Sequence, residues 1–159
     1  MARFNIRKLG AKAQAQIKGA GQGRIKRSAK EDRTADGIVF DSASEMRGYL
    51  FLKPRIKPGC LHLQPKFELQ PKFRDVNGKV RQPMNYRGDF WIYSEPRTDA
   101  TAPIPAGAVV IDNKGMITDS FTIREKLFAF RFMTRLHLPR NKRDWAALLE
   151  HTDMQPWLA

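Results

Sequence analysis

The stretch VVIDNKG, residues 109–115, joins the most strand-like run of the chain to a charged end. Its β-branched residues predict a buried strand. Because side chains alternate along a strand, Asp112 and Lys114 share one face while Val109 and Ile111 point the opposite way. An acid and a lysine at this spacing are either a surface ion pair or half of a catalytic site, and the rest of the chain must decide between them.

Outward from this strand, the patterns predict an α/β domain. The strand-like and helix-like stretches follow one another as a strand at 37–40, a helix at 41–53, strands within 62–75 and 85–95, the strand at 108–115, an amphipathic helix at 119–136, a short strand at 137–141 and a last short helix at 143–151. An Asn-Gly turn at 77–78 predicts a hairpin, whereas the helix at 119–136 predicts a crossover connection. The sheet is therefore expected to be mixed.

Two side-chain alternations are expected within these elements. In NYRGDFWIYSE, period two places Tyr86, Gly88, Phe90 and Ile92 on one side of the strand and Arg87, Asp89, Trp91 and Tyr93 on the other. In the amphipathic helix, the pattern predicts an inner stripe of Ile123, Leu127, Phe130 and Met133 or Thr134.

The charge of the chain favours a polyanionic partner. There are 29 Lys and Arg against 16 Asp and Glu, a formal charge of +13. Residues 1–34 carry ten of the cations and two of the acids, which predicts a basic flexible N-terminal arm ahead of a domain at 35–159. Nucleic acid is the first expectation and an anionic membrane surface the second. For the arm itself, the alternative is a solvated tail that keeps the protein soluble.

Several classes of protein are not indicated. Cys60 is the only cysteine, so an intrachain disulfide is impossible, and the three histidines lack the ligand spacing of a zinc site. No apolar run approaches the roughly 20 residues of a membrane span, and the N-terminus lacks the apolar segment of a secretory signal. We therefore expect a cytoplasmic protein without a membrane partner.

Asp89 is a second candidate for chemistry, because it lies within an apolar and aromatic strand. A buried carboxylate without a partner costs several kcal/mol. If this strand neighbours the one at 108–115, then Asp89 and Asp112 approach across the sheet. Like charges at close range raise each other's proton affinity, and a divalent cation is the usual remedy. Carboxylates with a backbone carbonyl suit Mg²⁺ or Mn²⁺.

Glu45 is the third candidate acid. It closes the sequence SASE, which has the form of a capping box, so its carboxylate has an alternative partner in the backbone amide of Ser42.

Four blocks in this order resemble a known superfamily. ADGIVFDSASEMRGYLFL, LQPKFELQPKF, YRGDFWIY and VVIDNKG, spread over about residues 35–135, are similar to small phage-encoded endonucleases related to Holliday junction resolvases, within the PD-(D/E)xK nucleases. The resemblance implies a restriction-endonuclease-like mixed sheet flanked by helices, in the order αβββαβ. The chain departs from the usual pattern at Gly88, where proline is frequent, and at Asp112, where resolvase-like members more often have Glu.

The resemblance also implies residue roles. The catalytic set is Glu45, Asp89, Asp112 and Lys114, with Lys114 orienting the attacking water. The ligands of Mg²⁺, for which Mn²⁺ substitutes, are Glu45, Asp89, Asp112 and the carbonyl of Asn113. The expected activity is a metal-dependent, structure-selective DNA endonuclease, with a Holliday junction resolvase as the leading candidate. A flap or duplex nuclease of the same fold and a non-catalytic basic nucleic-acid-binding protein are the alternatives.

Cations outside this set are candidates for contacts with the DNA backbone. The predicted DNA-binding residues are Arg24, Lys26, Arg27, Lys72, Arg87, Arg124, Lys126 and Arg131. A junction presents two symmetric strands, so a resolvase of this kind is expected to act as a homodimer, and a phage-encoded one in the host cytoplasm.

Overall fold

The computed structural model describes residues 28–114 and 116–159. The helices of this part of the chain are α1 (Ala43–Leu52), α2 (Asp119–Phe132) and α3 (Lys142–Glu150). The strands are β1 (Thr34–Ala35), β2 (Ile38–Val39), β3 (Leu61–Leu63), β4 (Lys66–Gln70), β5 (Phe73–Arg74), β6 (Val80–Arg81), β7 (Met84–Arg87), β8 (Phe90–Ile92), β9 (Val109–Ile111) and β10 (Leu136–His137). The predicted α/β class is confirmed. Of the helices described, none is both long and apolar enough to cross a membrane.

The central sheet is mixed, as expected. Its strand order is β10-β9-β8-β3, in which β3, β8 and β9 pair antiparallel and β10 lies parallel to β9. Helix α2 makes the crossover between β9 and β10. Around this sheet the elements follow the order helix, three strands, helix, strand. The kinship with restriction endonucleases stays a prediction.

β3 continues into β4, and β7 continues into β8. The pairs β3–β8 and β4–β7 therefore form one long antiparallel ribbon. The register Leu63↔Phe90 in the sheet is kept at Lys66↔Arg87 beyond it. Between them, Gln64 adopts the left-handed conformation with φ 53°. The ribbon turns over at this point, because side chains that a strict period of two would place together lie in different clusters on its two sides.

The turn corrects one expectation about the strand faces. Tyr86 was expected beside Phe90 and Ile92, but it packs in the same cluster as Trp91, on the other side of the sheet. A strict alternation of period two therefore holds within β7 and within β8 but not across the residues that join them.

The core lies on both faces of the central sheet. Phe90, Ile92, Val109 and Ile111 pack against α1 and α3 on one face, whereas Val110 packs against α2 on the other. The three residues of β9 are all at most 1% exposed. Burial on both faces explains why β9 reads as a continuous apolar run, and each such side chain contributes about 1.5–3 kcal/mol.

Helix α1 begins where the sequence predicts. Ser42 is its N-cap, and the Ser42 hydroxyl accepts a hydrogen bond of 3.0 Å from the backbone amide of Glu45. Gly48 allows the helix to approach the core closely, because a Cβ at this position would lie 3.0 Å from ring carbons of both Phe90 and Trp145.

The predicted inner stripe of α2 is wrong at Ile123, Phe130 and Met133, whereas Leu127 packs against the buried cluster as expected. The helix buries Phe121, Phe128 and Phe132. Ile123, Phe130 and Met133 of the expected stripe are 58%, 82% and 87% exposed. Apolar residues occupy both faces of this helix, and the phenylalanine face packs inward because Phe128 and Phe132 meet Phe67 of β4 at ring distances of 5.0 and 5.5 Å.

The Asn-Gly turn forms the predicted hairpin between β5 and β6. Asp75 holds it together, since Oδ1 accepts hydrogen bonds from the amides of Asn77 and Lys79, while Oδ2 lies 2.7 Å from Nη2 of Arg81. Gly78 takes the positive φ of 74° that the turn requires.

Candidate active site at the edge of the central sheet

Asp89 and Asp112 face each other across neighbouring strands. β8 pairs with β9 in the register Phe90↔Ile111, and one further step of that register places Asp89 opposite Asp112. The Asp89 amide donates to the Ile111 carbonyl at 3.0 Å, so the pairing extends to the end of both strands. The prediction that these strands are neighbours, and that the two acids approach, is confirmed.

The Asp112 carboxylate is fully buried, with 0% of the residue exposed. Its Oδ2 accepts a hydrogen bond from the hydroxyl of Tyr86, and its backbone amide donates to the His137 carbonyl at 2.9 Å. Oδ1 lies 2.9 Å from Nζ of Lys114 and accepts no hydrogen bond from any other described group. One oxygen of a buried carboxylate is therefore left to a cation alone.

Asp89 is held from one side only. Its Oδ2 accepts a hydrogen bond of 2.7 Å from the Asn113 amide. Burial raises the pKa of the Asp89 carboxyl to about 7, and the facing Asp112 carboxylate acts in the same direction. At neutral pH this carboxyl is thus close to half protonated, and a divalent cation would favour its ionised form.

Lys114 lies on the same side as Asp112, as the strand period predicts. Its ammonium is 5.3 Å from the centroid of the Phe121 ring, and its side chain is 32% exposed. The lysine thus connects a buried carboxylate to solvent.

Glu45 is buried, with 2% of its surface exposed, and both of its oxygens have partners. Oε2 accepts from the Asp41 amide at 2.9 Å and Oε1 accepts from Nε2 of Gln64 at 3.1 Å. The capping alternative is therefore right in kind but wrong in its partner, because the amide is that of Asp41 and not that of Ser42. Glu45 is near enough to Asp89 to raise the pKa of Asp89 as well.

The three acids do not form one compact ligand set. In the described part of the chain, one group of three or more His, Cys, Asp or Glu side chains has ligand atoms that all lie within 4.8 Å of one another. This group consists of His137, His151 and Asp153. Asp89 and Asp112 are thus the pair at the centre of the candidate site. Glu45 is bound instead to Asp41 and Gln64.

Asn113 ties the two sides of the site together. Its amide holds Asp89, and its side-chain Nδ2 donates to the Ser44 carbonyl in the first turn of α1 at 2.8 Å. The role of the Asn113 carbonyl as a metal ligand stays a prediction.

Two residues of the site were missed from the sequence. Tyr86 was assigned to the core, although a buried tyrosine needs a partner for its hydroxyl. Burial raises the pKa of Tyr86 further above its ordinary value, and the Asp112 carboxylate adds to this effect, so the hydroxyl stays protonated and donates. Gln64 could have been found only by knowing that it pairs with Asp89, whose carbonyl accepts from the Gln64 amide at 2.9 Å.

The fold also brings together a histidine cluster that the sequence spacing does not indicate. Oδ2 of Asp153 lies 3.4 Å from Nε2 of His137 and 3.3 Å from Nδ1 of His151. Nη1 of Arg135 lies 2.7 Å from the other ring nitrogen of His151. Burial lowers the pKa of His137, and His151 acts in the same direction. The histidine cluster lies near β9 because β10, which carries His137, pairs with that strand.

The predicted DNA-binding cations do not share one face. Arg24, Lys26 and Arg27 lie outside the described residues, whereas Lys72, Arg87, Arg124, Lys126 and Arg131 are exposed. Arg87 pairs with Asp41, and Nη2 of Arg131 lies 3.7 Å from Oε1 of Glu68. On α2, Arg124 and Arg131 are seven residues apart and share a side, while Lys126 points elsewhere. Their contact with DNA stays a prediction.

The chain belongs to the family described as Protein of unknown function (DUF1064), whose model matches residues 24–143. The matched range includes Glu45, Asp89 and the 112–114 segment. No curated protein and no solved structure gives a significant match to the chain.

Proposed function

We propose that this member of the DUF1064 family is a metal-dependent endonuclease that hydrolyses phosphodiester bonds in branched DNA. The observation that carries the proposal is the Asp112 carboxylate, which is fully buried, has one oxygen without a hydrogen bond, and stands opposite Asp89. Such a pair is costly unless a cation compensates it. An ion pair with one lysine leaves two carboxylates for a single positive charge.

The donors present fit a hard divalent cation. Asp89 and Asp112 supply carboxylate oxygens and Asn113 supplies a carbonyl, which is the chemistry that Mg²⁺ and Mn²⁺ prefer. When bound, the cation would lower the pKa of a coordinated water and offset negative charge on the phosphate. Sulfur is absent from this donor set, and no histidine side chain has been assigned to it.

Two hydrogen bonds orient the carboxylates for this role. The Tyr86 hydroxyl holds Oδ2 of Asp112, and the Asn113 amide holds Oδ2 of Asp89. Oδ1 of Asp89 is left for a ligand, and Oδ1 of Asp112 faces the Lys114 ammonium, which a cation would share or displace. Fixing the ligands before the cation arrives is the usual function of such surrounding bonds.

Lys114 and Glu45 take different parts. The Lys114 ammonium, beside Oδ1 of Asp112 and open to solvent, offsets negative charge that develops on the phosphate and orients the attacking water. Glu45 has both oxygens engaged by Asp41 and Gln64, which favours a positioning role over direct metal binding. A ligand role for Glu45, as the resemblance implies, would require it to release one of these bonds.

DNA as the substrate is supported by the formal charge of +13, and branched DNA by the resemblance to resolvase-like nucleases. The proposal includes a homodimer that cuts two strands and a cytoplasmic location. The alternative of a basic protein that only binds nucleic acid explains the charge equally well. It does not account for a buried and a partly buried carboxylate that face each other where the two inner strands of the sheet end.

The test uses the purified protein with a four-way junction, a flap and a linear duplex, in Mg²⁺, in Mn²⁺ and in EDTA. We expect cleavage of the branched substrates that EDTA abolishes. Asp112→Asn should lower the cleavage rate by about a thousandfold. Asp32→Asn, at an exposed acid near the start of the described residues, is the matched control and should stay within about twofold of wild type.

Each contrary outcome identifies a different error. Cleavage that persists in EDTA would exclude the metal, and equal cleavage of junction and linear duplex would favour the duplex nuclease. Tight binding without cleavage in either metal would favour the non-catalytic alternative.

A further inference from the structure

A cavity of about 490 Å³ lies beside the candidate active site, between α1 and the start of α3. Its volume is within the roughly 300–1,000 Å³ of ordinary small-molecule sites. Asn113 forms part of its wall and also donates its amide to Asp89. The cavity and the carboxylate pair are therefore separated by a single residue.

The charged side chains of the cavity wall all have the same sign. Arg47 comes from α1, and Arg140 and Lys142 come from the chain that enters α3. None of the described lining residues is acidic, and none of these three cations forms an ion pair with another described residue. Three uncompensated cations around one cavity favour a phosphate group as part of the ligand.

Two aromatic rings form the apolar part of the wall. Phe51 and Trp145 line the cavity, with ring centroids 5.5 Å apart. Trp145 is 8% exposed and is held by Phe90, whose ring lies 6.2 Å away, and by the close approach of Gly48. Flat rings beside cations are the surface on which proteins bind unpaired bases.

We propose that this cavity binds an unpaired nucleotide next to the phosphate that is cut, with its base against Phe51 and Trp145 and its phosphate on the cations. The inference rests on the proposed function and narrows its substrate class. A paired base is stacked within the duplex and does not reach a cavity of this kind, so the preferred DNA carries unpaired nucleotides beside the cut. Flaps, overhangs and opened junctions meet this condition, and blunt duplexes do not.

The experiment measures binding without cleavage. Fluorescence anisotropy, in EDTA, compares a short blunt duplex with the same duplex carrying a single-stranded overhang. The proteins are wild type, the double variant Arg140→Gln/Lys142→Gln, Phe51→Leu and the control Arg143→Gln. Arg143 neighbours Lys142 on α3 but does not line the cavity, so the control removes one charge from the same surface.

For wild type and for Arg143→Gln we expect the overhang to strengthen binding by about tenfold, an effect of the size of stacking one base. In the double variant and in Phe51→Leu the advantage should fall below about twofold, while circular dichroism shows an unchanged fold. An overhang advantage that is equal in all four proteins would overturn the inference, as would no advantage in wild type. A competition experiment adds free deoxynucleoside monophosphate to each protein–DNA complex and so distinguishes a site for a nucleotide of the strand from a site for a free nucleotide. If the monophosphate displaces the blunt duplex as readily as the overhang duplex, the inference is also overturned.

The failure of this inference is separate from that of the proposed function. Cavity variants that cut and bind like the control would leave the nuclease standing. An overhang preference that depends on the cavity in a protein that never cuts would leave the nucleotide site standing and exclude the nuclease.

Discussion

The β5–β6 hairpin and the end of the β8–β9 pair each contain an aspartate with partners from its own segment, but the two carboxylates differ in how fully they are hydrogen-bonded. Asp75 in the hairpin accepts two amide hydrogen bonds and pairs with Arg81. Asp112 at the sheet edge is buried and keeps one oxygen without a hydrogen bond, although Lys114 is adjacent. The first carboxylate is satisfied by its own turn. The second has a lysine ammonium on one oxygen and the Tyr86 hydroxyl on the other, while a second carboxylate faces it, and this difference separates a structural acid from a candidate ligand.

The comparison extends to acidity. The Asp75 pKa is lowered even though partial burial opposes the change, because hydrogen bonds from Lys79, Arg81 and Asn77 favour the ionised form. Burial raises the pKa of Asp89, and the facing Asp112 adds to the effect. Three predictions test whether this contrast reflects function.

Of these three, the largest effect is expected at Lys114. Lys114→Met removes the ammonium beside Asp112 and should lower the cleavage rate by about a hundredfold, because charge on the phosphate is no longer offset. Mn²⁺ binding, measured by calorimetry, should persist, since the carboxylate ligands remain. Asp75→Asn, at the satisfied acid, should change the rate by less than about twofold. Equal losses in the two variants would show that the contrast between the sites has no catalytic meaning.

The second effect concerns stability and pH. The folded pKa of Asp89, about 7, exceeds its ordinary value of 3.8, so its favourable contribution is complete below about pH 4 and is lost as the pH rises through 7. In EDTA, Asp89→Asn should therefore raise the free energy of unfolding by about 2 kcal/mol at pH 8 and by almost nothing at pH 4.

Denaturant titrations across this range provide the measurement. Asp75→Asn should act in the opposite direction and destabilise the protein at pH 8, because it loses the ionised acceptor. A pH-independent gain in Asp89→Asn would contradict the raised pKa. Added Mg²⁺ should stabilise wild type and leave Asp89→Asn unaffected.

The smallest effect is expected at Tyr86. Tyr86→Phe removes the hydroxyl that donates to Oδ2 of Asp112, which leaves a buried acceptor unpaired and should destabilise the protein by about 1 kcal/mol. In an Asp112→Asn background the same change should cost less, since the charged acceptor is gone. A double-mutant cycle measures this coupling. Additive effects would mean that the hydroxyl does not hold the carboxylate.

Much of this architecture could be predicted from local pattern. The buried run at β9, the capped helix α1 and the hairpin at Asn77 follow from residue periods and turn chemistry. The approach of Asp89 to Asp112 followed from strand adjacency, which is a guess about topology that the structure confirms.

The errors arise where one local pattern fits two arrangements. Helix α2 has apolar side chains on both faces, and only the position of Phe67 decides that the phenylalanine face packs inward. Tyr86 was misplaced because the ribbon turns over between β7 and β8, opposite Gln64, a residue that takes a positive φ here without favouring it. The cavity beside the site joins Arg47 to Arg140 and Lys142, which are far apart in sequence, so no motif could reveal it.

Asn113 connects two elements that are distant along the chain. Its backbone amide donates a hydrogen bond to Asp89, and its side chain donates one to the first turn of α1. The edge of the sheet cannot part from that helix without releasing the carboxylate. Local detachment of α1 would therefore remove the support of the Asp89 carboxylate before the protein unfolds globally, even while the sheet stays intact.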